Sequence, residues 1–216
     1  MLRVEIRLSL LGVLTLALLS GCGKHDVKGQ AFIVTKGMTN IHLGLVEVKF
    51  FSADLVTASI QKSKNALGAR VADLRTGIEK NDQAITVEIR SFVIGPLVFP
   101  SKAPSGQPQS EFSRLSAELD EQKRQLDNIV SPQSLVANFP LPVAIGKTDG
   151  DGRFAVKLSA GNYVAVASAQ RDVGRSTETY HWLVRFRVPL EGDALLLSND
   201  NMHDTGCSSC VTFDRP

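Results

Sequence analysis

Thr148-Asp149-Gly150-Asp151-Gly152-Arg153-Phe154-Ala155-Val156-Lys157-Leu158, continuing through Ser159-Ala160-Gly161-Asn162 into Tyr163-Val164-Ala165-Val166-Ala167-Ser168-Ala169, is the stretch that decides the fold. Its acidic, glycine-rich opening is turn material, and the run from Phe154 to Leu158 follows it as a strand. Ala160-Gly161-Asn162 is a second turn, and Tyr163 to Ala169 a second strand. Working outward, Tyr180, Trp182, Val184, Phe186 and Val188 alternate with His181, Leu183, Arg185 and Arg187, the period of a half-buried strand. Residues 194–197 make a last short one. Toward the N-terminus, Ala31-Phe32-Ile33-Val34-Thr35 is strand-like and residues 36–40 are turn material. In a further strand over residues 43–51, Val46, Val48 and Phe50 face one way and Leu43, Leu45, Glu47 and Lys49 the other. Several short strands separated by turns predict a mainly β protein built as an antiparallel sandwich.

Gly29-Gln30-Ala31-Phe32-Ile33-Val34-Thr35 with Leu43-Gly44-Leu45-Val46-Glu47-Val48, then Thr148 to Phe154, Ala160-Gly161-Asn162-Tyr163 and Val164 to Ala169, resemble carboxypeptidase regulatory-like domains. The likeness covers roughly residues 28–51 and 140–200. It implies a small transthyretin-like β-sandwich of the accessory kind, and it carries no catalytic residue to this chain. The departure is a long segment that interrupts the sandwich after its second strand.

That segment changes period. Val56, Ile60, Leu67, Val71, Leu74 and Ile78 recur at steps of 4, 7, 4, 3 and 4, the pattern of a heptad seam. Leu115, Leu119, Gln122, Leu126 and Ile129 repeat it over residues 110–130, with Glu118, Asp120, Glu121, Lys123, Arg124 and Asp127 on the opposite face. Pro132 ends the run. Gly68 and Gly77 weaken the first helix by about 1 kcal/mol each. Ile85, Val87 and Ile89 alternate like a strand, yet the seven-residue step through Val71, Ile78, Ile85 and Phe92 extends the helix to about Ile94, with an apolar turn over residues 92–100. The reading is a helical hairpin at residues 53–138 inserted into a sandwich formed by 30–52 and 139–204, with a tail at 205–216.

The N-terminus places the protein. Arg3 and Arg7 precede an apolar run from Leu8 to Leu19 that ends Leu19-Ser20-Gly21-Cys22. This is a secretory signal with a core too short to make a comfortable permanent span. Its end resembles a bacterial lipobox, which implies lipidation of Cys22, removal of residues 1–21 and a tether over 22–29. The expected location is the cell envelope, facing the periplasm or exterior, with the outer membrane favoured by the uncharged Gly23. The mature chain has 195 residues and a net charge of +1 against +2 for the whole, since Arg3, Arg7 and Glu5 are lost. A near-neutral balance without a Lys/Arg run gives no case for nucleic acid.

Cys207-Ser208-Ser209-Cys210 is the remaining cysteine motif. Outside the cytoplasm a disulfide is the expected state. With His203 the pair also spells His-x₃-Cys-x₂-Cys, half of a zinc site, with His181 as a distant further ligand, and a redox use is open as well. The turn Asp149-Gly150-Asp151 lacks the later acid of a calcium loop, so side-chain-to-backbone turn bonding accounts for it. Residues 198–201 (Ser-Asn-Asp-Asn) read as a turn too. His25 and His42 sit in the tether and beside a turn. No nucleophile elbow and no phosphate-binding glycine loop occurs. The reading is therefore a lipid-anchored, non-enzymatic binding, adaptor or structural module without a cofactor, whose hairpin takes a protein partner. Alternatives are a zinc- or redox-active site at His203, Cys207 and Cys210, and carbohydrate or peptidoglycan binding by the sandwich. Exposed aromatics would favour the latter, but Trp182 and the two tyrosines look buried.

Overall fold

The computed structural model describes residues 23–98, 108–203 and 206–215. The signal segment and Cys22 lie outside the described residues. Among those described, eight strands form two four-stranded sheets, and the chain divides into two compact units. The first unit holds residues 23–57, 139–203, 206–211 and 215; the second holds 58–138 and 212–214. The protein is mainly β with a helical insertion.

Strand β1 (Lys24–Val34) runs antiparallel to β5 (Arg153–Ser159), from Lys24 opposite Ser159 to Gln30 opposite Arg153. This corrects the tether, because residues 24–29 are half of a strand. Val27, Gly29, Ala31 and Ile33 point inward while Asp26 and Lys28 point out. The alternation is masked in the sequence because one inward position is glycine. A Cβ at Gly29 would lie 2.1 Å from a ring carbon of Phe154 and 2.5 Å from the Leu195 carbonyl oxygen, so the aromatic ring occupies the place of a side chain. β2 (Asn40–His42) pairs with Phe32–Val34, and β8 (Leu195–Leu197) lies beside Gly29–Ala31 in parallel, so this sheet is mixed where an antiparallel one was expected.

The second sheet has the order β4 (Ala144–Lys147), β3 (Glu47–Ser52), β6 (Gly161–Val173), β7 (Ser176–Val188). β6 and β7 form a hairpin paired from Gly161 opposite Val188 to Val173 opposite Ser176. Val48, Phe50, Ala165, Ala167, Trp182 and Val184 from this sheet meet Val27, Ala31, Ile33, Phe154 and Leu158 from the other in one core. Trp182 is fully buried, and its indole N–H donates to the Ser198 carbonyl at 2.9 Å, as a buried indole requires. The single strand expected over 43–51 is broken: residues 43–46 form a loop in which Leu45 takes φ +62° and is exposed, while Leu43 and Val46 stay buried. Among residues 198–201, Ser198 and Asn201 cap a short 3₁₀ turn. The Asn199 amide donates to the Val34 carbonyl and accepts from its N–H, extending the β1 ladder with a side chain.

In the second unit, helix α1 (Ala53–Val98) begins in the sandwich with Val56 buried, and α2 (Pro108–Val130) and α3 (Pro132–Ala137) follow. Contacts of Arg70 with Gln125 and of Asn81 with Gln122 set α1 and α2 antiparallel. Ile85, Val87 and Ile89 are helical, and α1 runs on through residues 92–98, which corrects the apolar turn there. Residues 99 and 100 lie outside the described residues. Val71, Leu115 and Leu119 are buried in the seam. Asn81 is buried at a seam position and donates to Gln122 at 3.2 Å. Gly77 makes room for that pair, because a Cβ there would stand 2.9 Å from the Gln122 amide nitrogen. Ser131 caps α3, and Pro132 occupies its first turn where no N–H is missed. No described helix is long and apolar enough to cross a membrane.

Candidate functional site

Three places could carry function. The first is on the sandwich, where the loop 43–46 meets β6. Thr148 is buried and locks that loop. Its hydroxyl donates to the Leu43 carbonyl at 2.7 Å and accepts from the Val46 N–H at 2.8 Å. Its backbone N–H donates to the Val46 carbonyl, and its carbonyl accepts from the Leu45 N–H. Four bonds from one residue hold Leu45 in a left-handed conformation that a branched side chain rarely adopts. An open groove of about 450 Å³ lies alongside, lined by His42, Glu47, Ser168, Gln170 and Arg171. Next to the groove, His181 Nδ1 lies 2.8 Å from the Ser168 hydroxyl. The Tyr180 phenol is held above its usual range, first by burial and then by its hydrogen bond to Glu178. The turn after Thr148 is closed as its sequence implies: Asp149 Oδ1 accepts from the N–H groups of Asp151 and Arg153.

The second place is the helical unit. A groove of about 570 Å³ between α1 and α2 is lined by Ala84, Val87 and Leu115 with Lys80, Glu88, Arg114 and Glu118. Val87 and Ile89 on α1 and Phe112 on α2 are exposed at 65%, 49% and 41%. Arg114 bridges Glu111 and Glu118 on its own helix, and the Glu111 carboxyl is lowered from its ordinary range by that guanidinium.

The third is the C-terminal segment. Cys207 and Cys210 are joined by a disulfide. Bonded to each other, they offer no thiolate to a metal in this state, and no group of metal-ligating residues occurs among the described residues. His203 follows Met202, whose carbonyl lies 3.4 Å from the Cys210 sulfur. His181 belongs to the Ser168 contact instead. Cys210 bridges to Val184, and the Val211 N–H donates to the Leu183 carbonyl, so the segment lies against the edge of β7. Beyond it, Asp214 accepts from Arg75 and its carbonyl accepts from Lys64. The Asp214 carboxyl is drawn below its ordinary range, first by the Arg75 hydrogen bond. Where the segment meets the sheet, burial lowers the affinity of Arg185 for its proton, opposed by the charge of Asp54.

Trp182 is fully buried and Tyr180 nearly so, while the half-buried Tyr163 turns its hydroxyl to the Ser159 carbonyl. The Thr148 clamp and the Asp214 anchor were not singled out in the sequence. A lone Thr before an acidic turn and an acid near the C-terminus carry no period that would reveal them.

No family model matches the chain, and no curated protein matches it. Among solved structures, it is similar to a Pseudomonas aeruginosa protein titled, provisionally, as carbohydrate-binding, with 12% identity over 85% of this chain and 94% of that one and a TM-score of 0.33. Likeness at that level carries no argument about function.

Proposed function

We propose that the protein is a lipid-anchored, non-enzymatic binding or adaptor module of the cell envelope, attached through Cys22 and taking a protein partner on its helical unit. The observation that carries the reading is the α1–α2 groove itself, where the exposed Val87 stands with Ala84 and Leu115 among charges of both signs. A partner helix would cover the apolar residues and meet Lys80, Glu88 and Arg114 at the rim. The anchor rests on the Leu19-Ser20-Gly21-Cys22 motif. Only Gly23 separates Cys22 from β1, so a lipid on Cys22 would hold the Lys24–Ser159 end of the sandwich at the bilayer. A transthyretin-like accessory sandwich is the scaffold this reading implies. Crosslinking in membranes tests it. Wild-type protein should capture a defined partner, Ala84→Glu/Val87→Glu should lose it while staying folded, and Cys22→Ala should leave the membrane fraction. Capture that survives the double substitution would remove the helical unit from the proposal.

A second reading rests on the polar groove at His42, Glu47, Ser168, Gln170 and Arg171. Planar amide and guanidinium groups around a rigid loop suit the hydroxyls of a glycan. Titration with peptidoglycan fragments should give saturable heat that Gln170→Ala/Arg171→Ala abolishes. No heat with wild-type protein would retire the glycan.

A further inference from the structure

The disulfide does little that the tail does not do without it. It closes the short ring Cys207-Ser208-Ser209-Cys210, and because the chain entropy a disulfide removes grows with ring length, so short a ring removes little. The segment is tied down independently. Arg185 N–H donates to the Ser209 carbonyl at 2.8 Å and Val211 N–H to the Leu183 carbonyl at 2.7 Å. Val211 is fully buried, and the Arg215 guanidinium donates to the carbonyls of Cys207 and Cys210. Further on, Arg75 and Lys64 hold Asp214. Breaking the S–S bond leaves every one of these contacts available.

The two sulfurs also differ. Cys210 is 1% exposed, whereas Cys207 is only half-buried. The Cys210 sulfur lies 3.3 Å from the Asn201 carbonyl oxygen and 3.4 Å from that of Met202. A thiol can donate its S–H to these acceptors; a disulfide sulfur has no hydrogen to give. The surroundings of Cys210 therefore suit the reduced form.

We propose that Cys207 and Cys210 form a reversible dithiol–disulfide couple that exchanges with an external dithiol, Cys207 being the outward sulfur and Cys210 the inner, resolving one. A thiolate of the dithiol attacks Cys207 Sγ. The Cys207–Cys210 bond breaks, and its electron pair leaves on the Cys210 sulfur, which takes a proton from solvent and donates it toward the Asn201 and Met202 carbonyls. The second thiolate of the dithiol attacks its own sulfur in the mixed disulfide and releases Cys207 as a thiolate. Two electrons and two protons pass from the dithiol to the pair, and the dithiol becomes a disulfide. The inference is independent of the partner-binding role.

The test uses the full chain with dithiothreitol as the dithiol. Under native conditions the intact mass should rise by two hydrogens, while far-UV circular dichroism stays constant and the unfolding midpoint moves by no more than about 3 °C. With Cys22 changed to Ala in both variants, the single thiol of Cys210→Ser should form a mixed disulfide with oxidised glutathione at least about tenfold faster than that of Cys207→Ser, since exposure governs access to the sulfur. If either variant fails to fold, pulsed alkylation of reduced wild-type protein reads the same order, with Cys207 modified first. Reduction only after addition of denaturant, unfolding on reduction, or equal reactivity of the two sulfurs would overturn the proposal.

Discussion

The sandwich and the helical unit bury side chains by different rules. In the sandwich, residues from two sheets interlock around Phe50 and Trp182, both fully buried, and the interior hydrogen bonds listen to single residues such as Thr148. In the helical unit, a 46-residue helix meets a 23-residue one along a seam that includes a buried amide pair, Asn81 with Gln122. The first arrangement allows one packing. The second shares its apolar surface between an internal seam and an exposed groove, and it spends a seam position on polarity that fixes register. The difference teaches which unit fixes its packing by apolar interlock and which leaves apolar side chains exposed.

The comparison breaks most readily at the sandwich core. Trp182→Ala removes the largest buried side chain and its bond to Ser198, and should cost about 4 kcal/mol in urea unfolding followed by circular dichroism. A loss under about 1 kcal/mol would mean that the sheets do not depend on this core. Thr148→Val keeps the shape but strands the Val46 N–H and the Leu43 carbonyl; a loss of about 2 kcal/mol is expected in the same assay. In the helical unit the signs differ. Asn81→Leu alone should cost about 1 kcal/mol because the Gln122 side-chain carbonyl loses its donor, and adding Gln122→Leu should recover that loss. A thermal-unfolding double-mutant cycle reads both, and additive losses would show that the amides do not act as a pair.

The smallest effect is electrostatic. The folded Asp214 carboxyl sits below its unfolded value because Arg75 stabilises the charged form. Its contribution is therefore complete above the ordinary carboxylate range and is lost as pH falls through the depressed folded value. The pair is largely exposed, so under about 1 kcal/mol is at stake. Asp214→Asn should remove this pH dependence and quicken proteolysis of the tail at neutral pH. A tail equally protected in that variant would show that Val211 and Phe213 hold it unaided.

Much of this division was legible in the sequence. The period-two runs at 46–50 and 180–188 and the helical steps from Val56 to Ile78 and from Leu115 to Ile129 place their faces toward the core, but Leu183, on the face read as outward, is buried too because the C-terminal segment covers that side of β7. The misreadings lie where the inward position has no apolar side chain. Gly29 hid the start of β1 and Asn81 occupies a seam position as an amide; the strand expected from residue 43 fails for another reason, because Thr148, a hundred residues away, fixes the backbone of the 43–46 loop. The candidate sites were less legible still. Cys207 and Cys210 stand out by type alone, but the acceptors at Asn201 and Met202 are backbone atoms, which any residue supplies.

One measurement tests the central claim that the sandwich carries the fold and the helical unit carries the contact. Residues 58–138 are replaced by a short Gly/Ser linker, and the variant is followed by urea unfolding and by crosslinking in membranes. A folded β-protein with a single cooperative transition that captures no partner is the expected result. A chain that fails to fold, or one that folds and still captures the wild-type partner, would contradict it.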